Sequence, residues 1–453
     1  MSTPSSGSGL KTFTAVIAVI FGLVLLIGGI YLAVLGGSWY YIIAGLLFIA
    51  TAVLLQKLKS TALIVYALLV LGTVVWGLWE VGSDFFALAP RLDILGLFGL
   101  WLLIPAVTRG FDNVKSAKLV LTGSLAITIA VMIYAVFNDP QEIRGELSSK
   151  QPATAQSIPG VADGDWPAYG RTQSGLRYSP LTQINSENVK DLKVAWTYNT
   201  GDFKTENDSG ETTNQVTPIK VGDNMYICTT HQKLVALDPA TGKAKWTFDP
   251  KLKADNTFQH LTCRGVSYYD ANNTAGFEAS LQNKKSSSEL CPRKVILPVN
   301  DGRLVAINAD TGERCTDFGK NGEVDLQKDM PFPYPGGYIP TSPPVVTGTT
   351  IIIAGSTTDN YSTEEPSGVI RGYDVNTGAL LWVFDTGAED PNAIPAPGQK
   401  YVQNSPNAWA PLAYDAALDM VYIPTGVGTP DIWGGNRTEL HERYANSMLA
   451  INA

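Results

Sequence analysis

The sequence predicts two regions of different class: a multi-pass α-helical membrane anchor, followed by an all-β propeller. Three observations carry that reading. Residues 13–137 are overwhelmingly apolar, whereas 138–453 are polar and rich in Gly, Pro, Asn, Thr and Asp. The apolar region breaks into five runs of roughly bilayer length. Within the polar region a single phrase recurs, as Val235-Ala-Leu-Asp-Pro-Ala-Thr-Gly-Lys-Ala-Lys-Trp246, Val305-Ala-Ile-Asn-Ala-Asp-Thr-Gly312, Arg371-Gly-Tyr-Asp-Val-Asn-Thr-Gly-Ala-Leu-Leu-Trp382 and Leu449-Ala-Ile-Asn-Ala453.

The apolar runs cover roughly residues 13–35, 39–55, 61–79, 93–107 and 117–137. The first lacks a small-residue cleavage pattern and is followed at once by further runs, so it reads as an anchor rather than a removable signal peptide. Lys11, Lys57 with Lys59, and Arg109 with Lys115 and Lys118 fall on one side if the runs alternate, while Glu80, Asp84, Asp139 and Glu142 fall on the other. The positive-inside rule then places residues 1–12 in the cytoplasm and everything after Phe137 outside it, in the periplasm of a bacterium. A buried helical bundle is the competing reading. Arg91 and Asp93 open the fourth run. Such charges mark either an interfacial helix end or a hydrogen-bonding site for a quinone head at the lipid edge.

Residues 138–162 are rich in Gln, Ser, Pro, Ala and Thr without periodicity and read as a linker. The propeller domain is expected over 163–453. The segment Val189 to Gly201 predicts a strand ending in Trp196, like the end of a repeat without its beginning. Each full repeat alternates apolar residues, then gives Asp or Asn, a Thr-Gly turn and a second apolar strand, the pattern of a β-hairpin. The Asp/Asn positions 238, 308, 374 and 452 lie about 65 to 80 residues apart. Each unit therefore holds more than one hairpin, which suits propeller blades with inserted loops.

Net charge is −8 with no broad basic surface, which argues against a nucleic-acid partner. Cys228, Cys263, Cys291 and Cys315 lack the C-x-x-C spacing of a zinc cluster, so one or two disulfides in an oxidising compartment fit better, with the pairing open.

Trp166-Pro-Ala-Tyr-Gly-Arg171, the Ala-x-Asp-x-x-Thr-Gly-x-x-x-Trp repeats, Val299-Asn-Asp-Gly-Arg303 and Thr429-Pro-Asp-Ile-Trp-Gly-Gly435 resemble the pyrroloquinoline quinone (PQQ) dehydrogenases. With the five apolar runs, the likeness is greatest to the membrane-bound quinoprotein glucose dehydrogenases. It implies an eight-bladed propeller with PQQ and a divalent cation on its axis. It further implies oxidation of glucose and other aldoses in the periplasm, with electrons passed to ubiquinone in the membrane.

Site residues follow from the same resemblance. Trp409 matches the tryptophan on which PQQ stacks, while His260 and Arg264 match the pair at the quinone. Asp359, Asn360 and Thr429 match positions near the cation, with Ca²⁺ expected before Mg²⁺ because both take oxygen ligands. Gln215 stands where some relatives carry an acidic residue, which puts its contact with cofactor or substrate in doubt. No two cysteines are adjacent, so the vicinal disulfide of methanol dehydrogenases is missing. The family's general-base Asp belongs to a His-His-Asp-Leu-Trp-Asp stretch that does not occur in this sequence. The expectation is therefore a fragment holding about half a propeller, inactive alone, with no catalytic base in this chain. Alternatives are the same chemistry on quinate, shikimate or a polyol, and a cofactor-free propeller scaffold.

Overall fold

The computed structural model describes residues 7–138, 140, 158–208, 211–255, 257–273 and 290–453. Most of the expected linker, 141–157, lies outside the described residues. Two compact units divide the chain between residues 151 and 152.

The first unit is helical: α1 (Gly7–Val34), α2 (Tyr40–Gln56), α3 (Thr61–Val81), α4 (Phe85–Leu102), a short α5 (Pro105–Thr108) and α6 (Val114–Phe137). Four of these, α1, α3, α4 and α6, are long and apolar enough to cross a membrane, while α2, with 17 residues, is shorter. α1 and α2 approach closely because glycines face each other. A Cβ on Gly45 would lie 2.6 Å from the Leu26 amide nitrogen. Tyr66 anchors the centre, donating its hydroxyl to the Leu95 carbonyl at 2.7 Å among Phe48 and Phe98.

Two features of the fourth run differ from expectation. The Asp84 carboxylate accepts the Ala87 N–H at 3.0 Å and caps the helix, so α4 starts at Phe85 and carries Pro90, Arg91 and Asp93 inside it. Nor do Arg91 and Asp93 pair with each other. Arg91 bonds Glu80 of α3 at 2.8 Å and lies over the Trp76 ring, while Asp93 accepts the N–H of Ile94. The guanidinium finds a carboxylate on the neighbouring helix, a partner the linear sequence does not display.

The second unit is built of antiparallel blades. After β1 (Glu211–Thr212), the first blade comprises β2 (Ile219–Val221), β3 (Asn224–Cys228), β4 (Leu234–Leu237) and β5 (Ala244–Phe248). β6 (His260–Leu261) precedes the second blade of β7 (Ser267–Asp270), β8 (Arg293–Val299), β9 (Arg303–Asn308) and β10 (Glu323–Asp325). β11 (Tyr338–Ile339) leads to β12 (Val345–Val346), β13 (Thr350–Ile353), β14 (Ser356–Thr357), β15 (Ile370–Asp374) and β16 (Leu380–Phe384). The third blade is β12-β13-β15-β16, and β14 instead pairs with β11. Last come β17 (Ala413–Asp415), β18 (Met420–Pro424), α7 (Glu439–Arg443) and β19 (Met448–Asn452), whose three strands form the fourth sheet. Between blades lie closed apolar layers, such as Ile219, Leu234, Val295, Leu297 and Val305, each no more than 2% exposed.

The repeated phrase has one physical meaning. The Asp238 carboxylate accepts the N–H groups of Ala240 and Thr241 and the Thr241 hydroxyl, and Gly242, at φ +69°, returns its N–H to the Asp238 carbonyl. Asn308 with Gly312 and Asp374 with Gly378 build the same turn. The tryptophan of one repeat then covers the turn of the next. A Cβ on Gly242 would lie 2.4 Å from the Trp196 ring, and one on Gly312 2.7 Å from the Trp246 ring.

Trp196 keeps that role although its own segment departs from the predicted strand. Residues 189–191 form a 3-10 turn, and 192–200 run extended and mostly exposed with no sheet partner among the described residues. Alternation alone makes no strand without an edge to bond to. The cysteines pair as Cys228–Cys263 and Cys291–Cys315.

Candidate functional site

In every blade the chain passes one cavity just before entering the innermost strand. Gln215 precedes β2, Arg264 precedes β7, Thr341 precedes β12 and Trp409 precedes β17, and all four line a cavity of about 480 Å³. His260, Asp359 and Thr429 line it too. The structure thus gathers six of the seven residues expected in the propeller, drawn from positions 215 to 429, around one cavity. The seventh, Asn360, stands directly behind it.

Arg264 is the hub. Its guanidinium lies 5.2 Å from the centre of the Trp409 ring and donates to the Trp409 carbonyl at 3.3 Å and to the Thr341 hydroxyl. Ser342 donates to the same Trp409 carbonyl at 2.6 Å. These contacts fix the indole while leaving it 49% exposed. Burial pulls the Arg264 guanidinium below the usual arginine range, and Tyr169 and Glu211 oppose that shift. His260 is positioned by the parallel pairing of β6 with β1, which sets Glu211 opposite it and brings the Glu211 carboxylate to 3.3 Å from its Nδ1.

Across the cavity, Asp359 is held on both sides. The Gln259 amide accepts its N–H at 3.0 Å and donates to its carbonyl at 3.2 Å. Its carboxylate accepts the Asp431 N–H at 2.9 Å. Burial, together with the neighbouring Asp431 carboxylate, pushes the Asp359 carboxyl above the usual range. Asn360, in the left-handed region at φ +62°, donates its side-chain N–H to the Asp431 carboxylate at 2.7 Å and accepts the Ile432 N–H at 3.3 Å. Thr429 is 1% exposed; Asn404 donates its side-chain N–H to the Thr429 carbonyl at 2.9 Å and to its hydroxyl at 3.3 Å.

Sequence reasoning missed Glu211, Gln259 and Asp431. Asp431 lay in plain view inside Thr429-Pro-Asp, whereas nothing in the sequence marked Glu211 or Gln259.

The residues fit a flat, polyanionic ring with a cation at its edge. A half-exposed indole offers a floor, a guanidinium offers charge, and the buried Thr262 hydroxyl on the cavity wall has no partner of its own. No group of three or more His, Cys, Asp and Glu side chains with metal-holding geometry occurs among the described residues. A cation held here would have to combine the Asp359 and Asp431 carboxylates with other oxygen donors.

A blade-built cavity of this composition defines a cofactor-binding propeller of the dehydrogenase type. Residues 166–453 match the family model described as PQQ glucose/ethanol/alcohol dehydrogenase, β-propeller domain, and the chain belongs to that family. It is 72% identical over 453 residues to quinoprotein glucose dehydrogenase A of Acinetobacter calcoaceticus, covering 100% of this chain and 57% of that protein. It is 57% identical over 445 residues to quinoprotein glucose dehydrogenase of Escherichia coli, covering 98% and 55%. Quinate/shikimate dehydrogenase (quinone) of Acinetobacter baylyi is 37% identical, covering 96% and 54%. The chain thus spans about half the length of the curated relatives it matches.

Proposed function

We propose that the protein takes part in PQQ-dependent oxidation of glucose and other aldoses, with electrons passed to membrane ubiquinone. One observation carries the cofactor reading: Arg264 locked over Trp409 on a cavity whose opposite wall presents Asp359 and Asp431. The substrate follows from the similarity to the two glucose dehydrogenases. The quinate relative, at 37% identity, makes quinate the second reading.

Bound PQQ supplies a two-electron acceptor for hydride from the substrate carbon. This chain's residues do the holding. Trp409 offers the floor, Arg264 meets a carboxylate or carbonyl oxygen of the ring, and Thr262 is free to bond it. His260, with Nδ1 toward Glu211, keeps Nε2 for a hydrogen bond in the cavity. Gln215 donates its amide N–H to Thr213 at 3.0 Å, which aims it along the wall. Asp359 and Thr429 belong to the cation side, with Ca²⁺ the first candidate and Mg²⁺ the second.

For the membrane region we propose five spans within 13–137, with 1–12 cytoplasmic and the propeller (163–453) periplasmic beyond a 138–162 linker. The lysine and arginine distribution supports this. Arg91 and Asp93 are the proposed quinone contacts, with Glu80 as the ion partner of Arg91. The cofactor reading is tested by titrating PQQ into the protein with and without Ca²⁺ and following tryptophan fluorescence. Saturable quenching that needs the cation supports it. Absence of quenching in wild type would favour the scaffold reading.

A further inference from the structure

The helical unit gathers its positive charge at one end, and little there neutralises it. Lys11 lies near the start of α1, Lys57 and Lys59 in the turn from α2 to α3, Arg109 after α5, and Lys115 and Lys118 near the start of α6. Three contacts tie these segments to one loop, residues 103–112. The Lys11 ammonium donates to the Arg109 carbonyl, and the Lys118 ammonium donates to the Leu103 carbonyl at 2.9 Å. The Asp112 carboxylate accepts the Ser60 N–H at 2.8 Å and lies 3.7 Å from the Lys59 ammonium. Among the described residues, Asp112 is the only carboxylate that pairs with any of these cations.

Such a cluster raises its own energy unless an anion lies against it. Lys115 and Lys118 add to the cost, because they stand near the positive end of the α6 dipole with no acidic residue in the first turn. Water and salt reach Lys57 and Lys115, which are exposed, whereas Lys11 and Lys118 are half-buried. Each of these two ammoniums has three N–H donors and spends one on its loop carbonyl, so two remain. The carbonyls also hold both side chains in place, which lowers the entropy lost when an anion binds. Beside them in the chain, Phe13, Ile104 and Leu119 are exposed. The partner that matches charge and apolar surface together is an anion carrying long hydrocarbon chains.

We propose that Lys11 and Lys118, held on the 103–112 loop, bind the phosphate of one anionic phospholipid whose acyl chains lie along Phe13, Ile104 and Leu119. This rests on the membrane reading of the helical unit. It is independent of the PQQ reading and of the side of the membrane that this end faces.

The test uses the full chain in a non-ionic detergent, titrated with phosphatidylglycerol or with zwitterionic phosphatidylcholine. Native mass spectrometry counts the lipid retained. Phosphatidylglycerol is expected to be held about tenfold better. Lys11→Gln and Lys118→Gln each remove the charge but keep an N–H for the loop carbonyl. Each is expected to weaken phosphatidylglycerol retention about fivefold and to leave phosphatidylcholine retention unchanged. Lys57→Gln removes an exposed charge whose side chain has no bond to the loop, and is expected to change retention by less than about twofold. Equal retention of the two lipids by wild type, or an equal fall in Lys57→Gln and Lys11→Gln, would reduce the cluster to diffuse attraction and overturn the site. A chain that fails to float with phosphatidylcholine vesicles would instead contradict the membrane reading, and the inference with it.

Discussion

The guanidinium of Arg264 lies over the indole of Trp409, 5.2 Å from its centre, and also hydrogen-bonds the Trp409 backbone carbonyl. One residue from the entry to the second blade thus fixes the orientation of one from the entry to the fourth. Replacing Arg264 by Leu removes the hydrogen bonds, the cation over the ring and the charge for a carboxylate at once. PQQ affinity is expected to fall about a hundredfold, of the order expected when a charged hydrogen-bonding partner is lost. Arg264→Lys is expected to recover little, because an ammonium cannot reproduce the planar fork. Fluorescence titration with PQQ checks both.

Gly312 is closed against Trp246 and has φ +76°, so it faces steric and conformational penalties together. Gly312→Ala is expected to destabilise the propeller unit by about 2 kcal/mol. Gly398, also at positive φ but with open space around it, is the control and is expected to cost less on the same substitution. Urea unfolding followed by tryptophan fluorescence gives both values.

Lys294 is buried in the second blade, its ammonium donating to the Val375 carbonyl and lying over the Tyr269 ring. Burial pulls its pKa down to about 8, against partial opposition from Asp317 and Asp374. Between that value and the unfolded value of 10.5, the unfolded chain binds more protons, so stability rises with pH across this window. The contribution is complete above the unfolded value and is lost as pH falls through 8. Lys294→Met should abolish the rise and stabilise the protein at neutral pH by an amount on the order of 3 kcal/mol. Melting curves of both proteins from neutral to alkaline pH check it.

Cys263 immediately precedes Arg264 and is tied to Cys228 at the end of β3. The Cys228→Ser, Cys263→Ser double variant is expected to lose about 3 kcal/mol of stability. Its PQQ affinity should fall as well, because the hub residue loses its tether. The Cys291→Ser, Cys315→Ser variant, whose disulfide does not adjoin a cavity residue, is expected to lose stability alone. Urea unfolding and PQQ titration of the two double variants separate these effects.

The blades were legible because their turn chemistry is local. Asp238, Asn308 and Asp374 each need only the next four residues to make the turn that the phrase encodes. Trp409, Arg264 and Asp359 were legible through motif resemblance, since nothing in their own composition brings positions 264 and 409 together. What escaped was interaction across distance. Arg91 chose Glu80 on another helix over Asp93 two residues away. The Asn360 side chain donates to the Asp431 carboxylate, 71 residues further along, a contact that the sequence does not display. The extended run around Trp196 alternates like a strand, but a strand is defined by its neighbour, and none of the described residues pairs with it.

The proposed sugar oxidation through PQQ, coupled to membrane quinone, is tested in membranes carrying the full-length protein. These are reconstituted with PQQ and Ca²⁺ and supplied separately with glucose and quinate while ubiquinone reduction is recorded. Glucose-driven reduction that requires both additions is the predicted result. Reduction with quinate alone would contradict the substrate, and no reduction with either compound, together with no PQQ binding, would contradict the function.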